Sequence, residues 1–414
     1  MNMKTEPGSA AEQAGPRTRM LVIATLGFAV TFWAWALISP LAPSLATKLG
    51  LSSFQQSLIV AVPVIVGSLG RIPIGALTDR FGGRLMLPIV SVATIVPVLF
   101  LAFFGDQSLA TLLIGGFFLG IGGTSFAVGV PFVSAWFPPE RRGLASGIFG
   151  VGMVGTAISA FTTVRLVELG SSATPFLVTA AALAVYAVVA WLLLRDAPGQ
   201  VRPTTSMAKR VGETLKLGVT WQAAALYATL FGGYVAFSVY LPSLLKAEYD
   251  LSIADASNRM AGFVILAVIM RPVGGFLSDK IGPVPVLATC LGAVVFGALI
   301  DATSPALFPI ATIAYLVMAA GLGAGSGATF ALVALLSPAG KVGSVTGVVG
   351  AAGGLGGFVP PLLMGVVYGA TGSYTIGFLL LALVAAAVLV FTLTSIRSVL
   401  AKRDAVEVQR KVTA

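Results

Sequence analysis

Two arginines, at positions 71 and 271, stand in segments otherwise apolar enough to cross a bilayer, and each opens the same pattern. The first copy reads Arg71-Ile-Pro-Ile-Gly75-Ala-Leu-Thr-Asp79-Arg80-Phe-Gly82; the second reads Arg271-Pro-Val-Gly-Gly275-Phe-Leu-Ser-Asp279-Lys280-Ile-Gly282. A cation deep in a membrane helix costs at least ~2.5–3.5 kcal/mol on insertion scales, so such residues mark sites and pathways. Accepting that cost twice, at equivalent places in a repeat, points to a cationic site shared by two halves and to an anion as its cargo. Arg71 precedes Asp79 by about 12 Å of helix. With Asp79 at the membrane boundary, Arg71 lies most of the way to the middle of a ~30 Å hydrocarbon core, from where snorkelling to the interface is strained. Arg271 and Asp279 repeat the spacing. No Asp or Glu falls deep inside a span, so the pair is electrostatically incomplete until an anion enters.

The elements that must position these residues are read from composition. Apolar residues make up 57% of the 414 residues and charged residues 10%, with a mean hydropathy of +0.98, which excludes an ordinary soluble domain. Apolar runs predict an all-α membrane protein with twelve transmembrane helices in two six-helix pseudo-symmetric halves, at about 20–46, 55–78, 84–104, 108–136, 142–168, 173–194, 219–246, 257–278, 283–302, 305–335, 342–369 and 374–396. The organisation expected is a disordered cytoplasmic N-terminal tail at 1–19, an N-terminal half at 20–194, a cytoplasmic linker at 195–218, a C-terminal half at 219–396 and a cytoplasmic C-terminal tail at 397–414. The run around Ala34-Trp35-Ala36 is too long and too Trp-rich for a signal peptide.

Of the 25 Lys and Arg, only Lys48, Arg165, Lys246 and Arg259 fall on the side opposite the termini, and two are the deep arginines, which leaves 19 on the terminal side. That bias places both termini in the cytoplasm of a multi-pass inner (cytoplasmic) membrane protein. It also accounts for the net charge of +10 without a nucleic-acid partner. The chain has no histidine and a single cysteine, Cys290, in an apolar run. An enzyme is disfavoured: there is no nucleophile motif, metal cluster or intramembrane carboxylate pair. No cofactor is expected, the lipid bilayer is the partner besides the anion, and a monomer is the expected state.

The repeat extends further. Gly143, Gly147 and Gly150 recur at Gly343, Gly347 and Gly350, with Arg141 matching Lys341, and Gly123-Thr-Ser-Phe126 is echoed by Gly327-Ala-Thr-Phe330. Six-span parallel repeats, with Gly75-x-Leu77-x-Asp79-Arg80-x-Gly82-x-Arg84 after the second helix and a degraded twin at Gly275, Asp279 and Lys280, resemble the major facilitator superfamily over about residues 20–396. The resemblance implies a cargo site near the midplane between two rocking halves. It also implies that Gly75, Asp79, Arg80, Gly82, Arg84, Asp279 and Lys280 form a gating loop on the cytoplasmic side.

Span eleven holds six glycines in eleven residues, Gly347, Gly350, Gly353, Gly354, Gly356 and Gly357, each costing a helix up to ~1 kcal/mol relative to Ala. Span five carries Gly147, Gly150, Gly152 and Gly155. Small residues let helices pack closely; at this density they also suit backbone sliding in a transport cycle or close approach to a small cargo. The stretch from Gly150 to Gly155 matches a dinucleotide fingerprint only by accident, because no strand precedes it. With one arginine each in spans two and eight, these helices resemble the nitrate/nitrite porter family. The resemblance implies that Arg71 and Arg271 bind the anion, with Tyr227, Phe231, Phe126 and Phe330 as aromatic walls. Guanidinium forks suit a planar oxyanion held between rings. Where that family commonly has asparagines, Ser125, Met153 and Ser326 stand here. The function implied is secondary active transport of a small inorganic anion, nitrate and/or nitrite, by exchange. An oxalate/formate-like organic-anion exchanger, a proton-coupled nitrate symporter and a non-transporting receptor remain as alternatives.

Overall fold

The computed structural model describes residues 14–138, 142–198, 207–338 and 341–400. Every element among them is helical. Twelve helices are long and apolar enough to cross a membrane: α1 Gly15–Leu49, α2 Ser53–Phe81, α3 Gly83–Phe104, α4 Leu109–Trp136, α5 Ala145–Leu169, α6 Thr174–Leu193, α7 Gly218–Tyr249, α8 Ile253–Ile281, α9 Pro283–Asp301, α10 Leu307–Leu336, α11 Ser344–Thr371 and α12 Thr375–Leu400. Each matches one expected span. Several, α1, α2, α7 and α8 above all, run longer than expected, because hydropathy registers the apolar window and not the polar turns that cap it.

Those turns carry explicit start and stop signals. Ser52 and Gln55 form a reciprocal capping box at the start of α2, Ser108 and Thr111 do so for α4, and the Ser252 side chain accepts from the Asp255 amide at α8. Each device satisfies amide donors that a helix N-terminus leaves unpaired. The α2–α3 and α8–α9 turns pass through Gly82 and Gly282 at φ of 86° and 87°. That region is open to glycine at little cost, so the two copies of the loop motif share one backbone solution.

The first helix begins at Ala14, so residues 14–19, expected to be part of a disordered tail, are helical. Pro16 suits a first turn, where its missing amide would have no partner anyway. Residues 1–13 and 401–414 of the expected tails, Arg141 of the repeat, and 199–206 of the linker lie outside the described residues. Within the linker region Met207–Leu215 is helical, and Lys341 Nζ donates to Glu213 Oε2 at 3.2 Å, tying that helix to the start of α11. On the other side of the linker, Asp196 Oδ1 accepts from the Arg84 amide at 3.1 Å.

The two halves meet through α2 on α11, α5 on α8 and α1 on α7. Helix α7 is the most enclosed of the twelve and α12 the least. Large apolar side chains such as Val96, Phe103, Val185, Leu383 and Val390 face outward, as they must where lipid is the solvent and backbone polarity is satisfied within helices. The interface is dense on the side away from the linker. Ser39 Oγ on α1 donates to the Val239 carbonyl of α7 at 2.5 Å, and Arg165 Nη1 on α5 donates to Asn258 Oδ1 on α8 at 2.9 Å. Gly365 of α11 lies against Ser57 of α2. Toward the linker side, a Cβ added to Gly147, Gly275 or Gly347 would meet nothing within 4 Å. The interhalf hydrogen bonds of Ser39 and Arg165 thus lie on the far side, while these three glycines toward the linker side border open space.

Candidate functional site

Arg71 and Arg271 sit where the two halves meet. Arg71 follows a local break of α2 at Gly70 and is 8% exposed. Its Nη1 crosses the interface to the Gly350 carbonyl of α11 at 2.8 Å, and its Nε makes a longer bond of 3.4 Å to the Gly123 carbonyl of α4. Arg271, half-buried on α8, crosses the other way. Its Nη1 is in contact with Met153 Sδ on α5, and its Nη2 donates to the Tyr227 hydroxyl at 2.7 Å. The swap follows from the repeat: each arginine reaches a glycine-rich helix of the opposite half. Protein acceptors thus engage two of the five N–H groups of each guanidinium.

The aromatic residues gather around these cations. The Arg71 guanidinium lies 5.2 Å from the Phe126 ring centre, and that of Arg271 lies 5.9, 5.4 and 5.8 Å from Tyr227, Phe231 and Phe330. Tyr227 and Phe231 stack at 4.6 Å with an interplanar angle of 2°, and Phe330 meets Tyr227 edge-on at 4.7 Å. One helical turn separates Tyr227 from Phe231, which puts both rings on one face of α7. Cation–π attraction accounts for part of the cost of holding guanidiniums here. Each arginine feels the positive charge of the other. The ion pairs Lys48–Asp106, Arg259–Asp255 and Lys341–Glu213 are peripheral. Among the described residues, no carboxylate is paired with Arg71 or Arg271.

The structure brings all six expected binding residues into one cluster. The glycines divide into two groups. Gly353 faces the rings of Tyr227 and Phe231, Gly354 faces Ser68, Gly356 the Ala228 carbonyl, and Gly357 the Val235 side chain. In α5, Gly152 lies against Phe28 and Gly155 against the Ala29 carbonyl. These are close-packing positions, where a methyl group has no room. By contrast Gly147, Gly150 and Gly347 have open space beside them, and Gly350 has only Phe126, at 3.6 Å. The dense half of each motif packs helices, and the other half borders open space. The residues expected to form a gating loop lie apart from the cluster, toward the linker-side helix ends. Arg80 is 5.2 Å from the Phe81 ring and Lys280 is 4.4 Å from Phe276.

Other contributors are illegible from residue type. The carbonyls of Gly350 and Gly123 are acceptors only because the helix bearing each comes close to Arg71. Tyr234, whose hydroxyl is 3.2 Å from Thr156 Oγ1, extends the aromatic wall to 5.9 Å from Phe231. Phe28 stacks on Phe149 at 4.7 Å behind Phe126. Ser125 pairs with Thr31 at 2.8 Å, and Ser326 donates to the Leu322 carbonyl within its own helix. Met153, which offers no donor, instead accepts from Arg271. Asp196 escapes a sequence reading because its partner amide is 112 residues away. Ser39 and Val239 carry a usable signal: they differ by the same 200 residues as the arginines and touch where the two repeats meet.

The sequence profile of the Major Facilitator Superfamily matches residues 24–258 and 223–412. The chain is 48% identical over 381 residues to a "Probable nitrate/nitrite transporter NarK2" of Mycobacterium tuberculosis (strain ATCC 25618 / H37Rv), covering 91% of this chain and 96% of that one. It is 36% identical over 370 residues to a "Nitrite extrusion protein" of Bacillus subtilis (strain 168), covering 89% and 91%. Among solved structures, a bacterial homolog of the human lysosomal transporter Spinster, inward-facing and occupied, superposes with a TM-score of 0.71 at 19% identity over 92% of this chain and 97% of that one. That last likeness concerns the fold alone.

Proposed function

This chain belongs to the major facilitator superfamily and, within it, to the nitrate/nitrite porter family, and from that premise we propose that it carries nitrate and nitrite across a membrane by alternating access. It is a carrier and not an enzyme. The observation that supports the cargo is the pair of guanidiniums, one from each half, that cross the interface at one level without a carboxylate partner among the described residues. Each retains N–H groups for a small planar oxyanion, and Tyr227, Phe231, Phe126 and Phe330 form its walls. Exclusion of water by those rings lowers the local dielectric and strengthens the guanidinium contacts. An anion held by both arginines ties the halves together, which favours closure on the linker side.

Exchange is the transport mode this site favours. Without cargo, two like charges must pass through a closed, dry intermediate, which is slow; with an anion bound, one charge is offset and the barrier falls. Return then requires a second anion, nitrite for nitrate. A symporter would call for a group beside the arginines that titrates near neutral pH; among the described residues the neighbours are a tyrosine hydroxyl, a side-chain type that ordinarily titrates near ~10, a methionine and backbone carbonyls. The Lys/Arg bias supports a cytoplasmic location of both termini and the linker, at the inner membrane. Nucleic acid plays no part, and one chain suffices as the working unit. The test is nitrate uptake into proteoliposomes that are empty or preloaded with nitrite, with and without a pH gradient. Stimulation by preloading supports exchange. Gradient-driven uptake into empty vesicles without preload stimulation supports symport, and uptake of neither anion overturns the transport reading.

A further inference from the structure

Arg71 and Arg271 are equivalent by the repeat, yet they cross to different kinds of acceptor. Arg71 Nη1 meets a backbone carbonyl, that of Gly350; Arg271 Nη1 meets a thioether, Met153 Sδ. A carbonyl is a strong acceptor fixed by its helix, whereas a thioether is a weak one at the end of a flexible side chain. The repeat position of Met153 in the second half is Gly353, where the rings of Tyr227 and Phe231 occupy the space a side chain would take. Met153 therefore has no counterpart.

Its backbone is held firmly. Thr156 Oγ1 donates to the Met153 carbonyl at 2.9 Å, and the same hydroxyl lies 3.2 Å from the Tyr234 hydroxyl. Gly155 presses α5 against the Ala29 carbonyl of α1. The α5 backbone tightens to a 3-10 turn over Val151–Val154, which directs Met153, 2% exposed, toward α8. The sulfur is the adjustable end of a fixed residue.

We propose that Met153 tunes the affinity of the anion site, its thioether competing with the anion for one arm of Arg271. The inference rests on the anion-transport reading above and adds to it the residue that sets affinity. A neutral, soft acceptor orients the arm across the interface but cannot offset its charge. An oxyanion reaching the same N–H gains a charge-assisted bond, which is the stronger of the two. The competition lowers affinity, which suits release after reorientation, and it leaves Arg271 as the arm that changes partner while Arg71 stays on Gly350.

The test is equilibrium binding of nitrate and of nitrite to the full chain, purified as wild type, Met153→Leu, Arg271→Lys and the double variant. Leucine conserves volume while removing the acceptor. Met153→Leu is expected to bind nitrate about fivefold more tightly, the factor of one net hydrogen bond. That gain should vanish in the Arg271→Lys background, where no fork is present to be released. Met153→Ile carries the same expectation should the leucine variant not fold. Unchanged or weaker affinity in the single variant, or an equal gain in both backgrounds, overturns the proposal. Absence of nitrate and nitrite binding by the wild type overturns the transport reading, and this inference with it.

Discussion

Replacing Arg71 by Lys separates charge from shape at this site. Arg71 is buried, with Nη1 bonded to the Gly350 carbonyl at 2.8 Å and Nε more loosely to Gly123 at 3.4 Å, so its remaining N–H groups are those available to cargo. A lysine ammonium carries three donors at one point. If one of them takes the Gly350 carbonyl, no planar fork remains for two oxygens of an anion. The loss is about one charge-assisted hydrogen bond, ~1.5–3 kcal/mol, or roughly 10- to 150-fold in Kd. The charge itself survives. Its removal in Arg71→Gln forfeits an attraction of about 4 kcal/mol for unit charges 4 Å apart at an effective dielectric of 20, close to a thousandfold. The expected order of nitrate affinity is therefore wild type, then Arg71→Lys, then Arg71→Gln, with a clear gap at each step. Calorimetric titration of nitrate and nitrite into the purified chain measures it. Lysine affinity within twofold of wild type would falsify the fork argument, and equal losses in the two variants would refute the division between charge and geometry.

Further outcomes are expected at the wall, the glycines, the interface and the periphery. Phe330→Ala removes the edge contact 4.7 Å from Tyr227 and should weaken nitrate binding while relaxing discrimination against chloride, read by competition binding. Gly353→Ala should destabilise the protein by about 1–3 kcal/mol through overpacking, since its Cβ would run into Tyr227 and Phe231. Gly147→Ala, with nothing within 4 Å, should leave the melting temperature close to wild type. Arg165→Ala breaks the 2.9 Å bond to Asn258 and should open the far side of the interface, seen as increased labelling of single cysteines introduced there with Cys290 replaced. At the periphery, the Lys48 ammonium bonded to Asp106 holds that carboxyl below its usual range. The pair's contribution is present at neutral pH and is lost as pH falls through the lowered pKa, below about 3.8. Lys48 is well exposed, so Asp106→Asn should cost no more than about 1 kcal/mol at pH 7 in thermal melts and should flatten the acid limb of the stability profile.

The helices were legible in the residues because lipid imposes a one-dimensional rule: a helix that crosses must be apolar for about its whole length. The deep arginines were legible for the same reason, since a charge that breaks the rule stands out. The loop copies were legible because both turns need glycine at positive φ, and Gly82 and Gly282 hold it. What exceeded the residues was the start of α1, which reaches back to Ala14 through a stretch of polar residues. Hydropathy has no sensitivity there, because outside the hydrocarbon a polar helix and a polar tail have the same composition.

The sequence by itself determined the class of the protein, the number of its membrane helices, the two-fold repeat and the types of residue at its cationic site. Each of these follows from local cost: charge in hydrocarbon, glycine in a helix, positive φ in a turn. Tertiary structure alone decided that Arg71 reaches Gly350 and Arg271 reaches Met153, and that Gly353 shelters the Tyr227–Phe231 stack while Gly147 borders open space. These are contacts between helices from different halves, separated by 118 residues for Arg271 with Met153 and 279 for Arg71 with Gly350. They depend on how far one rigid half is rotated against the other. That rotation is what a carrier changes as it works, so no local preference in the chain specifies a single value of it.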